Sequence, residues 1–153
     1  MSSAPQPSEY HDALTELPNR RLFDDRLQQA LHLARRRASA LALMLLELSG
    51  FSTTSAETMR EAARRLASAV RKADTLARWG ASEFALVITD VADEAQCREV
   101  AERLLAALEM DAVIGISRFP ADGLDAAALV RNADAARLRA RDLGPRHYRL
   151  YAR

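Results

Sequence analysis

Three places in this chain put chemically capable side chains where the surrounding pattern makes them conspicuous. The segment Leu41-Ala-Leu-Met-Leu-Leu-Glu-Leu48 is apolar on both faces except for Glu47, the pattern of a central strand covered on each side, so one carboxylate stands at the end of an otherwise apolar strand. The segment Gly80-Ala81-Ser82-Glu83-Phe84 is a small polar tip between two short strands, about 75 to 79 and 83 to 89, with Phe84, Leu86 and Ile88 alternating onto one face. The third place is Arg71-Lys-Ala-Asp74. An arginine can donate two parallel charge-assisted hydrogen bonds, and a carboxylate can accept them. The same two residues are also what an ordinary helix C-terminus and the loop after it contain.

These residues need elements to position them, and the hydrophobic spacing supplies the order. Asn19 after Pro18 is a good N-cap, and Leu22, Phe23, Leu27, Ala30, Leu31 and Ala34 recur at helical spacing, which predicts a first helix over 20–37. Arg35, Arg36 and Arg37 fall in its last turn, where cations complement the helix dipole. Thr54 followed by Glu57 forms a capping box for a second helix whose face is Met59, Ala62, Ala63, Leu66 and Val70. Asp93 caps a third helix carrying Cys97, Val100, Ala101, Leu104, Leu105 and Leu108 as its core stripe. A strand over 112–117, a turn at Pro120-Ala-Asp-Gly123, a fourth helix from Asp125 to about Arg141, and a last strand over 148–151 complete the order. Helices packed against a mainly antiparallel central sheet make an α+β sandwich.

Composition narrows the function classes. The chain has 153 residues, enough for one domain with a real core. Residues 1–10 read as a disordered leader, with a single domain over 11–153. No apolar run is long enough to span a membrane, the first residues lack the form of a signal peptide, and a cytoplasmic location is the expectation. The lone Cys97 suits a reducing compartment, and its place on an apolar helical face assigns it to packing. The 22 basic residues nearly balance 21 acidic ones, and Lys72 is the only lysine. Neither fact argues for a nucleic-acid partner. His11, His32 and His147 have no metal-ligand spacing. Trp79, directly before the tip, is read as a structural aromatic ahead of a base-stacking one.

The residues 76–88 around Gly80-Ala-Ser-Glu-Phe84 resemble the Gly-Gly-Asp/Glu-Glu-Phe signature of the GGDEF family, the bacterial diguanylate cyclases that condense two GTP into cyclic di-GMP. Asp12-Ala-Leu-Thr-Glu-Leu-Pro-Asn-Arg20 resembles the family's Asp-x-Leu-Thr-Gly-Leu-Pro-Asn-Arg motif, with Glu16 where glycine is usual. Ile114-Gly-Ile-Ser117, Phe119-Pro-Ala-Asp-Gly123 and Leu129-Val-Arg-Asn-Ala-Asp-Ala-Ala136 resemble its second half, in the version often joined to an EAL phosphodiesterase domain. The resemblance implies a nucleotidyl-cyclase-like sandwich with a five-stranded sheet. As partners it implies an EAL domain or another signalling protein, with cyclic di-GMP and a second copy of the chain as further candidates.

It also implies a damaged catalytic site. Mg²⁺ requires hard oxygen ligands, and the family supplies carboxylates at the positions of Glu47 and Ser82. Glu47 is one methylene longer than the usual aspartate, Ser82 is neutral, and Glu83 alone does not rebuild the pair, so Glu47 and Glu83 read as vestigial and no metal or other cofactor is expected. Ala81 replaces a glycine that leaves room for phosphate and tolerates positive φ. Between Phe51 and Arg78 the chain is shorter than the family pattern by roughly eight residues, about two helical turns, and the missing part carries the guanine-recognising asparagine and aspartate. Ser52-Thr-Thr-Ser-Ala56 is what remains there, and Ser49 replaces a second strand-end aspartate. Arg141 and Pro145 stand where the family grips phosphates, and proline cannot donate. Arg71 and Asp74 match the family's Arg-x-x-Asp inhibitory site for cyclic di-GMP. The expectation is therefore a catalytically inactive GGDEF domain that regulates or binds, either as a cyclic di-GMP receptor or as a protein-only scaffold, with residual cyclase activity as the enzyme alternative.

Overall fold

The computed structural model describes residues 9–49, 55–91 and 93–152. In chain order the elements are α1 (Arg20–Arg37), β1 (Leu41–Leu48), α2 (Ala56–Ala69), β2 (Thr75–Gly80), β3 (Glu83–Thr89), α3 (Glu94–Leu108), β4 (Ala112–Phe119), α4 (Ala126–Leu143) and β5 (His147–Leu150). The helices begin where short polar side chains satisfy the first free amides. Asn19 accepts from Leu22, Asp93 from Gln96 and Asp125 from Ala128. For α2 the cap is Ser55, accepting from Thr58 N–H at 3.0 Å. Thr54, expected to cap this helix, lies outside the described residues, as does most of the short segment 52–56.

The sheet order is β2-β3-β1-β4-β5. Three of its pairings are antiparallel and only β4 with β5 is parallel, so the expected mainly antiparallel five-stranded sheet is what the chain forms. Because β1 is central, both of its faces are covered, which is why it reads as a nearly unbroken apolar run. Leu41, Leu43 and Leu45 face one core with Phe23, Leu27 and Leu31 of α1 and Leu129 and Ala133 of α4. Ala42, Met44, Leu46 and Leu48 face the other, against Met59 and Leu66 of α2 and Cys97, Leu104 and Leu108 of α3. Each fully buried leucine contributes about 1.5–3 kcal/mol relative to an exposed one, so these two rows anchor the layers on either side. Cys97 lies inside the second core, and burial pushes its thiol up to about 11, which leaves little reactive thiolate at neutral pH.

One glycine sets the distance between α4 and the sheet. Gly115 of β4 lies opposite Leu45 of β1, and a methyl group there would collide with the backbone of Ala133 and Arg137. The helix thus lies directly on the strand, and the turn containing Arg137 comes down beside the end of β1. The chain start is also tied in: Asn19 donates to the carbonyls of Tyr10 and Glu9 at 2.9 and 2.8 Å, while residues 1–8 of the expected leader lie outside the described residues. Among the described residues no helix is long and apolar enough to cross a membrane.

Candidate functional site

The β2–β3 hairpin has two ends of chemical interest. At its tip, the carbonyl of Ser82 accepts from Leu48 N–H at 2.9 Å, which holds the turn against the end of β1. Glu47 and Glu83 are direct partners in the β1–β3 register. Both continue the rows that face α1 and α4, so two carboxylates meet at the end of that core. Like charges directly opposite across a ladder are destabilising. Here the compensating charge comes from α4. Arg137 is 8% exposed. Its Nη1 donates to Glu47 Oε1, and its Nε and Nη2 donate to Asp134 Oδ1 at 3.1 and 2.7 Å. Arg141, one turn further on, donates from Nη2 to Glu47 Oε2. Burial works against the charge on Arg137, but Asp134, Glu47 and Glu83 outweigh it and hold its pKa above the ordinary arginine value.

The backbone of the tip is fixed by a second arginine. Arg78 of β2 donates from Nε to Gly80 O at 3.1 Å, from Nη2 to Ala81 O at 3.0 Å, and from Nη1 to Asp12 at 3.2 Å. Asp12 closes its own turn by accepting from the Thr15 amide and hydroxyl, each at 2.8 Å. Burial raises the Asp12 pKa, but the Thr15 hydrogen bonds and Arg78 together overcome it and leave the carboxyl below its usual range. A methyl at Gly80 would meet the Glu83 carboxylate, the mobile end of a flexible side chain, which would have to shift. The conformational strain expected at Ala81 does not arise: among the described residues the non-glycine positions with positive φ are Glu16, Ala38, Asp90, Glu109 and Arg146. The methyl of Ala81 therefore acts through its volume alone. Trp79 packs edge-on against Phe23 with ring centroids 5.4 Å apart, and Arg20 lies 3.8 Å over its ring, a structural seat that also covers its face.

At the base of the hairpin, Arg71 and Asp74 bracket a turn in which Asp74 N–H donates to Arg71 O at 3.0 Å. Arg71 engages both carboxylate oxygens, with Nε to Oδ2 at 3.2 Å and Nη2 to Oδ1 at 3.0 Å, and its Nη2 also donates to Thr89 O at 2.7 Å. The Asp74 hydrogen bond, opposed by burial, raises the arginine's pKa. The side chain of Asp74 is 2% exposed and that of Arg71 51%. Beside them opens a cavity of about 490 Å³, lined by Arg26, Arg37, Lys72, Asp74, Thr89 and Asp90 among others, within the size range of ligand sites. The tip and the base are separated by the length of β2, roughly 16–20 Å at strand rise.

Of the residues singled out from sequence, the fold brings Glu47, Ser82 and Glu83 together and adds Arg141, while Arg71 and Asp74 meet each other at the far end. Pro145 stands apart in the connection to β5, where its carbonyl lies 2.9 Å from His147 Nδ1. Among the described residues no three His, Cys, Asp or Glu side chains form a metal-binding group. Sequence reasoning missed Arg137. The available signal was a charge in register with the buried stripe Leu129, Ala133, Ala136 and Ala140 of α4.

A profile described as diguanylate cyclase, GGDEF domain, matches residues 9–147. The chain belongs to the GGDEF family. The bifunctional diguanylate cyclase/cyclic di-GMP phosphodiesterase MucR of Pseudomonas aeruginosa is 36% identical over 157 residues, which span 90% of this chain and 23% of MucR. Diguanylate cyclase TpbB of the same organism is 29% identical over 147 residues, 83% of this chain and 34% of TpbB. This GGDEF domain therefore spans only a part of the length of these curated relatives. The solved GGDEF domain of TpbB superposes with a TM-score of 0.86 at 27% identity, covering 94% of this chain and 95% of that one. The GGDEF domain of DgcB from Caulobacter crescentus, solved in complex with c-di-GMP, gives 0.85 at 20% identity over 97% and 99%, a likeness of fold.

Proposed function

We propose that this GGDEF domain does not make cyclic di-GMP and serves as a regulatory and interaction module in a cyclic di-GMP signalling protein, with cyclic di-GMP bound at Arg71 and Asp74. The observation that carries the non-catalytic reading is the state of Glu47: each of its oxygens accepts from an arginine of α4, and the neighbouring signature position is the neutral Ser82. Of the two positions that would hold a family-type metal, only Glu47 keeps a carboxylate, with Glu83 beside the neutral Ser82, and this donor set does not fit the metal because the buried Arg137 side chain stands against Glu47. The shortened segment after Phe51 and the proline at 145 point the same way. For the purified chain with GTP and Mg²⁺ or Mn²⁺, chromatography is expected to show no cyclic di-GMP above a Glu83→Ala control. Restoring glycine and aspartate at the tip, Ala81→Gly with Ser82→Asp, is expected to leave the domain inactive. Product from the unaltered chain overturns the reading.

The receptor reading draws support from the cavity lined by Lys72 and Asp74 and from the half-exposed Arg71 side chain bound to Asp74. Binding requires the Arg71–Asp74 pair to exchange its mutual hydrogen bonds for bonds to guanine. Losing a charged hydrogen-bond partner at a desolvated site costs about 2–5 kcal/mol, so calorimetric titration is expected to show cyclic di-GMP binding that Arg71→Ala abolishes while the circular dichroism spectrum is unchanged. One observation favours the protein-only scaffold: Asp74 is nearly fully buried and both its oxygens are engaged by Arg71. Absence of binding by the unaltered chain, or equal binding by Arg71→Ala, decides for the scaffold. The partner in either case is proposed to be an EAL domain or another signalling protein in the cytoplasm, with self-association of this domain as a further mode.

A further inference from the structure

We infer that Arg137 and Arg141 are resident cations that take the place of a divalent metal at the hairpin tip, so that the protein's own side chains neutralise the carboxylates there. This deepens the non-catalytic reading of the tip, and its test reads metal binding instead of turnover, so either can fail alone. The charge count motivates it. Glu47, Glu83 and Asp134 bring three negative charges to the end of the β1–β3 ladder, and the two guanidiniums return two positive charges, the same charge as one divalent ion. The geometry supports it as well. Each oxygen of Glu47 is held by a different arginine, and Gly115 lets α4 lie close enough to deliver Arg137. A divalent ion of the Mg²⁺ type needs several oxygen ligands at short range in near-ideal geometry, and it would have to displace a guanidinium that is nine-tenths buried and already bound to Asp134.

An ordinary ion cluster joining a strand to a helix would share these contacts, but removing its cation would not raise the affinity for a divalent ion. The experiment is Mn²⁺ titration of the whole chain, followed by electron paramagnetic resonance of the free ion, for the unaltered protein, Arg137→Met, Arg141→Met and the double variant Arg137→Met with Glu47→Gln. Methionine keeps the bulk of the stem, and Arg141 is half exposed, so Arg141→Met tests the idea even where Arg137→Met does not fold. Removing one positive charge within a few ångströms of a divalent ion is expected to tighten Mn²⁺ binding about tenfold or more. The gain should appear in both single variants and be lost in the double variant. Mn²⁺ binding by the unaltered protein with the affinity of the arginine variants, or no gain in any folded variant, overturns the inference.

Discussion

The two ends of one hairpin have treated their charged residues in opposite ways. At the tip, Glu47 and Glu83 keep their places on the strands, but cations from another element close over them: Arg137 comes from 90 residues further along the chain. At the base, Arg71 and Asp74 answer each other across a single turn, and an open cavity lies beside them. The tip is thus a tertiary construction and the base a local one. A long-range ion cluster depends on the whole sandwich being assembled, whereas an i,i+3 pair in a turn needs only the turn. Changes at the tip should therefore be felt by the fold, and changes at the base chiefly by a ligand.

That contrast can be broken most directly by removing one acid from each end. Glu47→Ala leaves the buried Arg137 with Asp134 alone, and loss of one partner of a buried ion pair is expected to cost about 2–4 kcal/mol, toward the lower part of the usual range because Glu47 is not fully enclosed. Asp74→Ala removes the acceptor of a half-exposed arginine and is expected to cost about 1–2 kcal/mol. Urea denaturation of both variants provides the comparison, and equal losses would abolish the distinction between the two ends.

A smaller effect sharpens the role of the Arg78 clasp. The folded-state pKa of Asp12 is depressed, so its contribution to stability is present above the unfolded carboxylate value, about 3.9, and is lost as the pH falls through the lower folded value. Asp12→Asn is expected to flatten the acid limb of the stability profile below about pH 4 without altering the neutral limb's slope. Thermal melts between pH 2 and 7 provide the check, and an unchanged acid limb would remove Asp12 from the group that secures the tip.

The smallest change concerns the turn ahead of α1. Glu16 adopts φ 63°, a left-handed conformation that costs an ordinary residue about 1–2 kcal/mol, whereas glycine there gives back about 0.5–1 kcal/mol through the freedom of the unfolded chain. Glu16→Gly is expected to stabilise the domain by up to about 1 kcal/mol, visible as a small rise in melting temperature. A fall would show that the Glu16 side chain itself contributes.

Much of the fold was legible in the residues alone. The apolar period of 3.6 marked α1 to its terminal residues, the doubly apolar run marked β1, and the caps Asn19 and Asp93 were visible because a short polar side chain ahead of a periodic stripe has few other uses. Arg71, Asp74 and the hairpin tip were legible through their resemblance to short family motifs, but that Arg71 and Asp74 bind each other was not. The cap of α2 was displaced by one residue because Ser55 and Thr54 offer the same hydroxyl, and only the path of the chain selects between them. The strain expected at Ala81 was absent because the turn's backbone, which sequence does not specify, makes no left-handed demand at that residue.

What the sequence determined by itself is the family, the order of the elements and the identity of the residues at each end of the hairpin, all of which rest on short-range pattern. What the tertiary structure decided is the electrostatic condition of the tip. Arg137 looks from sequence like one more arginine in a helix with several. It becomes the partner of Glu47 only because Gly115 lets α4 lie on β4 and because the β1–β3 register sets Glu47 against Glu83. Distance and burial govern the strength of such a charge interaction, and for residues so far apart in sequence both are properties of the assembled fold.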